Sequence, residues 1–233
     1  MNDYAGLQVV VTGGTGALGS AVVGELVARG ATCHVPVFHT QELDNFPHRQ
    51  HARVVLYPGV DLEDERAVMS FYEKAGALWA SIHVAGGFAM SPLLDTSLEQ
   101  FRRMMDLNAT SCFLCCREAV RRMRSRPPSE GRIVNVAARP VLVPSPGMVA
   151  YAAAKSAVAA MTLALAEELA EQGIWVNAVV PSIIDTPMNR AAMPGVDFDA
   201  WPKTQEVAAT IAFLASPMNR ATRGALVPVY GRS

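Results

Sequence analysis

Leu7-Gln8-Val9-Val10-Val11-Thr12-Gly13-Gly14-Thr15-Gly16-Ala17-Leu18-Gly19 is the stretch on which the fold turns. A short apolar run ends at glycines, and helical periodicity follows at once over Ala17–Arg29, stopping at Gly30. A strand, a tight turn and then a helix leave the helix's first free N–H groups pointing at the turn, which suits a phosphate. Gly13, Gly14, Gly16 and Gly19 allow the turn and close approach of a ligand to the backbone. Glycines also bend ordinary loops, so the weight of this motif comes from its place at the first strand–helix junction.

The alternation continues outward. Thr32–Val37, Arg53–Leu56, Ser81–Val84, Arg132–Val136, Trp175–Val180 and Ala225–Val229 read as further strands. Glu63–Lys74, Leu98–Met123, Met148–Glu171 and Gln205–Leu214 read as the helices between them. This order predicts the α/β class, a doubly wound parallel sheet of about seven strands with right-handed crossovers. Pro36 removes a ladder donor, so the second strand is expected to be short or to end early. Arg126-Pro127-Pro128-Ser129-Glu130-Gly131 reads as a surface loop, and residues 1–233 as a single domain.

Composition narrows the partners. The chain has 233 residues, 51% apolar and 18% charged, with a formal net charge of -1. That balance gives no electrostatic case for nucleic acid or an anionic membrane. No apolar run is read as approaching the roughly 18 residues of a membrane span, and Met1-Asn2-Asp3-Tyr4 has no basic leader. Cys33, Cys112, Cys115 and Cys116 do not space like a disulfide framework, and a reducing cytoplasm is expected. Cys112 and Cys115 have a redox or zinc spacing, but without a second pair or a nearby His in sequence they read as buried small residues. No metal is expected. Arg117, Arg121, Arg122, Arg124 and Arg126 read as a solvated basic face at a helix C-terminus.

The end of the second strand bears on the cofactor. An acid there would hold a ribose 2′-hydroxyl and repel a 2′-phosphate. Cys33-His34-Val35-Pro36-Val37-Phe38-His39-Thr40 contains neither Asp nor Glu, which favours NADP(H) and leaves NAD(H) open. His39 or Thr40 is the candidate for a 2′-phosphate, with Arg49 and Arg53 further off. Asp61, in Val60-Asp61-Leu62, is read either as an acceptor for the adenine amino group or as the N-cap of the next helix. Ala85-Gly86-Gly87 ends the fourth strand with side chains small enough for a ribose.

Tyr151 and Lys155 are four residues apart on a helix and share one face. A free tyrosine has a pKa near 10, and a nearby ammonium and an oxidised nicotinamide favour its phenolate. Lys155 also reaches ribose hydroxyls in this reading. Asn108 either holds a water that passes the proton onward or is a satisfied polar residue in a helix.

Thr12–Gly19, Asp61, Ala85–Gly87, Asn108, Ile133–Val136, Tyr151–Lys155, Asn177–Pro181 and Thr186–Pro187 together resemble the short-chain dehydrogenase/reductase family over nearly the whole chain. The resemblance implies a Rossmann-type fold and hydride transfer between NAD(P)(H) and a small-molecule carbonyl, hydroxyl or quinonoid carbon. It implies Tyr151 as general acid/base, Lys155 on the ribose and Asn108 in a proton relay. It also implies a cofactor carboxamide held by the backbone of Ile184 and by Thr186, next to Pro181, and a homodimer or homotetramer through the two long helices.

The chain departs from the family in three places. Glycine is absent at position 17, Ser182 stands where a glycine often follows the proline, and Ala138 stands where a substrate-binding serine is expected. Losing one such donor costs roughly 10²–10³ in rate when the substrate depends on it. Ser145, between Pro144 and Pro146, is the stand-in candidate, and Met188 belongs to an apolar substrate segment over Pro187–Pro202. Three readings stay open: a partly dihydropteridine reductase-like enzyme that never needed the serine, a carbonyl or alcohol enzyme using other donors, and a cofactor-binding scaffold or sensor without turnover.

Overall fold

The computed structural model describes residues 2–125 and 129–233, so Arg126, with the Arg126–Pro128 part of the expected loop, lies outside it. Seven strands form one parallel sheet. They are β1 Gln8–Thr12, β2 Thr32–Val37, β3 Val54–Pro58, β4 Ala80–His83, β5 Gly131–Val136, β6 Ile174–Pro181 and β7 Leu226–Val229. Their spatial order is β3-β2-β1-β4-β5-β6-β7. The order reverses between β1 and β4, and the carboxyl ends of those strands open a crevice there.

Helices cover both faces. Val9 and Val11 point to one layer and Val10 to the other, as the two-residue pleat requires. The first layer is α1 Ala17–Ala28 with α7 Thr204–Ala215, which contribute Val22, Val23, Leu26, Val207 and Ile211 to one apolar core. The second is α2 Glu65–Ala75, α4 Ser111–Arg124 and α5 Val149–Glu168, which bury Phe71, Tyr72, Cys115 and Val158. Two further helices are α3 Leu98–Met105 and the short α6 Pro187–Ala192. α5 reaches a mean hydropathy of 1.5 over 18 residues, so the chain does hold one run long and apolar enough for a membrane span. This corrects the sequence reading. The run packs on β6 and carries the buried Lys155, which is the position of a sheet-covering helix.

Two elements differ from their expected form. β2 does not end early: it pairs with β3 through Val37↔Pro58, but with β1 only as far as Val10↔His34. The Thr32 N–H donates to Leu7 and the Cys33 N–H to Arg53, so even-numbered residues face β1. The N–H that Pro36 lacks therefore faces the side where pairing has already ended. The single long helix over Leu98–Met123 is interrupted by a widened turn at Asp106–Thr110, where the Ser111 N–H reaches back to Asp106.

Candidate active site

The crevice holds a cleft of about 820 Å³. Gly13, Thr15, Gly16, Ala17, Leu18 and Gly19 line one wall; Asp61 and Leu62, Ala85 and Gly86, and Ile184, Thr186 and Met188 line the others. These predicted residues, spread over most of the chain, are brought together at the strand ends. The turn is shaped by contact as well as by φ. Gly13 sits at φ +64, and a Cβ on it would stand 2.7 Å from the Ala85 nitrogen. A Cβ on Gly19 would stand 2.0 Å from the Gly13 oxygen. The N-terminus of α1 has Gly16 as its cap, no side-chain cap and no acid in its first turn, so its free N–H groups face the cleft. In α2 the same groups are taken by Asp64, whose carboxylate accepts from Arg66 and Ala67. Asp61 is therefore not the N-cap; it accepts the Glu63 N–H at 2.9 Å beside the cleft.

The region after β2 corrects the sequence reading most. His39 and Thr40 are exposed and do not line the cleft. Arg53 donates to the Gly30 carbonyl and Arg49 faces Asp44 at 4.0 Å, so neither is turned to it. An acid does stand there. The short turn Thr40–Leu43 folds back, and Glu42 lines the cleft and accepts the Thr15 hydroxyl at 2.5 Å. Its other oxygen accepts the His39 N–H at 2.9 Å. Glu42 lies five residues beyond Val37, past the Cys33–Thr40 segment that holds no acid.

Tyr151, Lys155, Asn108 and Gly87 do not line the cleft itself; Lys155 is buried beside the lining Gly86 and donates from Nζ to the Val136 carbonyl at 2.8 Å. Burial is the main cause that lowers its pKa to about 8. Tyr151 lies one turn earlier, with its ring edge-to-face to Phe88 at 5.0 Å between centroids. Burial raises its pKa to about 12, so the phenol is protonated and the expected phenolate is not favoured by Lys155 alone. No described residue hydrogen-bonds the Tyr151 hydroxyl. Asn108 is buried in the widened turn. It donates to the carbonyls of Gly87 and Met104, each at 3.0 Å, and accepts the Gly87 N–H at 3.2 Å. Both amide hydrogens are committed, which leaves one lone pair of Oδ1 for a water. A Cβ on Gly86 would stand 2.5 Å from Asn108 Oδ1 and 3.3 Å from Lys155 Nζ, so the glycine, the asparagine and the lysine meet at one point.

The substrate side is apolar. Ala138 is buried at the end of β5 and brings a methyl where a hydroxyl was expected. Neither it nor Ser145 lines the cleft, whereas Met188 does and is 76% exposed. Pro181 is buried at the end of β6, and Thr186 caps α6 by accepting the Asn189 N–H at 3.2 Å, leaving its own hydrogen to donate. Ser182 bonds the Tyr230 carbonyl at 3.0 Å and the Ser233 hydroxyl at 2.7 Å, so it ties the C-terminal residues to their own chain. Arg190 and Lys203 both bind Asp185 and hold its carboxyl well below the usual range.

All four cysteines are buried and free. The fold also supplies the histidine that the sequence reading found missing: donor atoms of His83, Cys112 and Cys116 lie within 4.8 Å of one another. These atoms are already engaged with Asn135, which accepts at 2.8 Å from His83 and lies 3.4 Å from Cys112. Ser81 holds the other ring nitrogen at 2.8 Å. The cluster reads as a buried hydrogen-bond network that joins β4, β5 and α4.

A family model described as short chain dehydrogenase matches residues 8–196. A 2,5-dichloro-2,5-cyclohexadiene-1,4-diol dehydrogenase of Sphingobium indicum is 33% identical over 198 residues, covering 83% of this chain and 78% of that protein. A 2,3-dihydroxy-2,3-dihydro-p-cumate dehydrogenase of Pseudomonas putida is 28% identical, covering 98% and 94%. The solved structure described as ElxO with NADP bound superposes with a TM-score of 0.87 at 25% identity, covering 96% of each chain.

Proposed function

The chain belongs to the short-chain dehydrogenase family and is an oxidoreductase, and we propose that it transfers a hydride between a nicotinamide dinucleotide and a carbonyl, hydroxyl or quinonoid carbon of a small molecule, with Tyr151 as general acid/base. The observation that carries this reading is the joint geometry of one cleft. The glycine turn and the uncapped helix N-terminus line it, and Gly86 on its wall abuts the buried Lys155 and Asn108, with Tyr151 one helical turn from Lys155. The lining fits a dinucleotide, because a cleft of about 820 Å³ runs from the glycine turn at the uncapped start of α1 past Asp61 to Ile184 and Thr186.

When bound, the dinucleotide supplies or accepts the hydride. The chain's own residues handle the rest. The α1 N–H groups receive the pyrophosphate, and Lys155, charged below about pH 8, binds ribose hydroxyls and adds positive field at the phenol. Tyr151 is protonated before reaction, so it is set to donate a proton to a substrate being reduced. In oxidation it accepts one, which requires the added positive field. Asn108 pins the widened turn to Gly87 and offers its remaining lone pair to a relay water. The Ile184 backbone and Thr186 hydroxyl, both on the cleft wall, would take the carboxamide.

Tyr151→Phe tests the reading. Turnover is expected to fall by about 10²-fold or more while cofactor affinity holds. Unchanged function would support the alternative, a cofactor-binding scaffold or sensor, which the methyl of Ala138 favours. Ala138→Ser separates substrates that need a carbonyl donor from those that do not: a gain in carbonyl reduction marks the first kind. The exposed Met188 on the cleft wall and the exposed Phe88 against the Tyr151 ring support a flat or apolar substrate.

The finer form of the cofactor is NADP(H) by the sequence argument, with the NADP-bound neighbour as support. Glu42 favours NAD(H) as a second reading. A homodimer or homotetramer in the cytoplasm, with no nucleic acid or membrane partner, completes the proposal.

A further inference from the structure

We propose that His83, Cys112, Cys116 and Asn135 form a tetrahedral site for a thiophilic divalent metal of the zinc class, and that the hydrogen-bond network at these residues is its metal-free form.

Geometry comes first. Cys112 and Cys116 are four residues apart on α4 and share one face, which meets His83 of β4 and Asn135 of β5. The two sulfurs are 4.0 Å apart, and Cys116 Sγ is 3.5 Å from His83 Nδ1. Asn135 Oδ1 lies 3.4 Å and 3.7 Å from the sulfurs and 2.8 Å from His83 Nδ1. Zinc bonds of about 2.3 Å to sulfur and about 2.0–2.2 Å to nitrogen or oxygen make a tetrahedron with edges of roughly 3.4–3.8 Å. The four donors already stand near such corners, and the imidazole and the amide need to part by only about half an ångström to admit the ion.

The surroundings orient the two neutral donors. Asn135 Nδ2 donates to the Thr162 hydroxyl oxygen at 2.9 Å, which turns Oδ1 towards the sulfurs. The Thr162 hydroxyl in turn donates to the Val158 carbonyl at 2.8 Å, so it is free to accept. His83 Nε2 lies 2.8 Å from Ser81 Oγ and 3.3 Å from the Tyr72 hydroxyl. Those hydroxyls can accept a ring proton on Nε2, as the outer partners of a metal-bound histidine do. Binding then balances simply: the two thiols release their protons to solvent, and the ring proton passes from Nδ1 to Nε2. Nothing is oxidised. Two thiolates cancel the charge of a divalent ion, so the buried site is neutral, and sulfur with imidazole favours zinc over magnesium or calcium.

Without the ion the network is crowded. The ring N–H and two thiols converge on Asn135 Oδ1, an oxygen with two lone pairs. A bound ion would pin together the elements beneath the cleft: β4 leads to Gly86, β5 to the Val136 carbonyl that receives Lys155, and α4 follows the turn of Asn108. All four donor residues are at most 6% exposed, so the metal enters as the chain folds.

The full-length protein, expressed once with zinc and once with cobalt(II) in the medium and purified without a metal column, tests this by elemental analysis and by the visible spectrum of the cobalt form. Close to one metal per chain is expected to survive dialysis against a chelator, with the bands of tetrahedral cobalt and a thiolate-to-cobalt charge-transfer band. Cys112→Ala and Cys116→Ala are each expected to lower the bound metal at least about tenfold. Cys115→Ala is expected to keep it, because that thiol is not among the converging donors. Folded wild-type protein that retains neither zinc nor cobalt overturns the inference, whatever the variants do. Metal retained in both Cys112→Ala and Cys116→Ala overturns it by placing the ion elsewhere. Equal loss in Cys115→Ala overturns it as well, since that marks unselective capture by thiols.

Discussion

At the scale of single residues, Lys155 shows how function sets itself against stability. Its ammonium is buried, and burial lowers its pKa from 10.5 to about 8. Between those values the unfolded chain holds a proton that the folded chain has released, so folding stability gains with rising pH across that window. The full shift corresponds to about 3 kcal/mol. Lys155→Met is therefore expected to stabilise the cofactor-free protein at pH 7 and to remove this pH dependence, while weakening dinucleotide binding. Chemical denaturation of both proteins at pH 7 and pH 10 measures it, and a variant no more stable at pH 7 would count against the account. Tyr151 and Lys155 were legible as a pair from their spacing alone. The protonated state of Tyr151 was not, because desolvation depends on what surrounds the ring, and Phe88 comes from a distant segment.

At the scale of elements, the break between α3 and α4 organises the site. The sequence reads as one helix over Leu98–Met123, and its periodicity carries no mark of the wide turn at Asp106–Thr110. The Asn108 side chain holds the turn with three hydrogen bonds, donating to the Gly87 and Met104 carbonyls and accepting the Gly87 N–H. Asn108→Ala removes all three, from the half-buried Gly87 and the buried Met104, which costs about 1–3 kcal/mol for each group left unsatisfied. Its thermal midpoint is expected to fall, and its cofactor affinity with it. Gly86→Ala acts differently. The methyl would enter the space between Asn108 and Lys155, so cofactor binding is expected to fall at least about tenfold with little loss of helix content by circular dichroism. Retained affinity in Gly86→Ala would show that the cofactor does not use this wall. The same scale explains β2: Pro36 read as a defect in the strand, but its missing donor lies on the side where the ladder has stopped.

At the scale of the whole molecule, one sheet with helices on both faces still leaves apolar surface outside. Phe113 on α4 is 49% exposed, and Val149 and Leu163 on α5 are 48% and 44% exposed. Covering these faces by a second copy would account for them, since exposed apolar patches of this kind mark interfaces. Light scattering is expected to give a dimer or tetramer, and Phe113→Glu with Leu163→Glu to give a smaller species; a monomeric wild type would refute the assembly. The arginine cluster was expected as a solvated basic face, but Arg117 and Arg121 turn back on the buried Glu118, at 2.9 and 2.7 Å, so this part of it is a local ion-pair network. What the sequence determined by itself is local or periodic: the glycine turn on its strand–helix junction, the seven apolar strands, and the i, i+4 placement of Tyr151 and Lys155. These follow from spacing, because helix and strand repeat at fixed intervals. The tertiary structure alone decided which distant side chains meet. It turned Glu42 back onto Thr15, bound Asn108 to Gly87, and drew His83 to Cys112 and Cys116. Such contacts depend on how a turn folds back and on which groups burial leaves in need of a partner, and no short stretch of sequence encodes either.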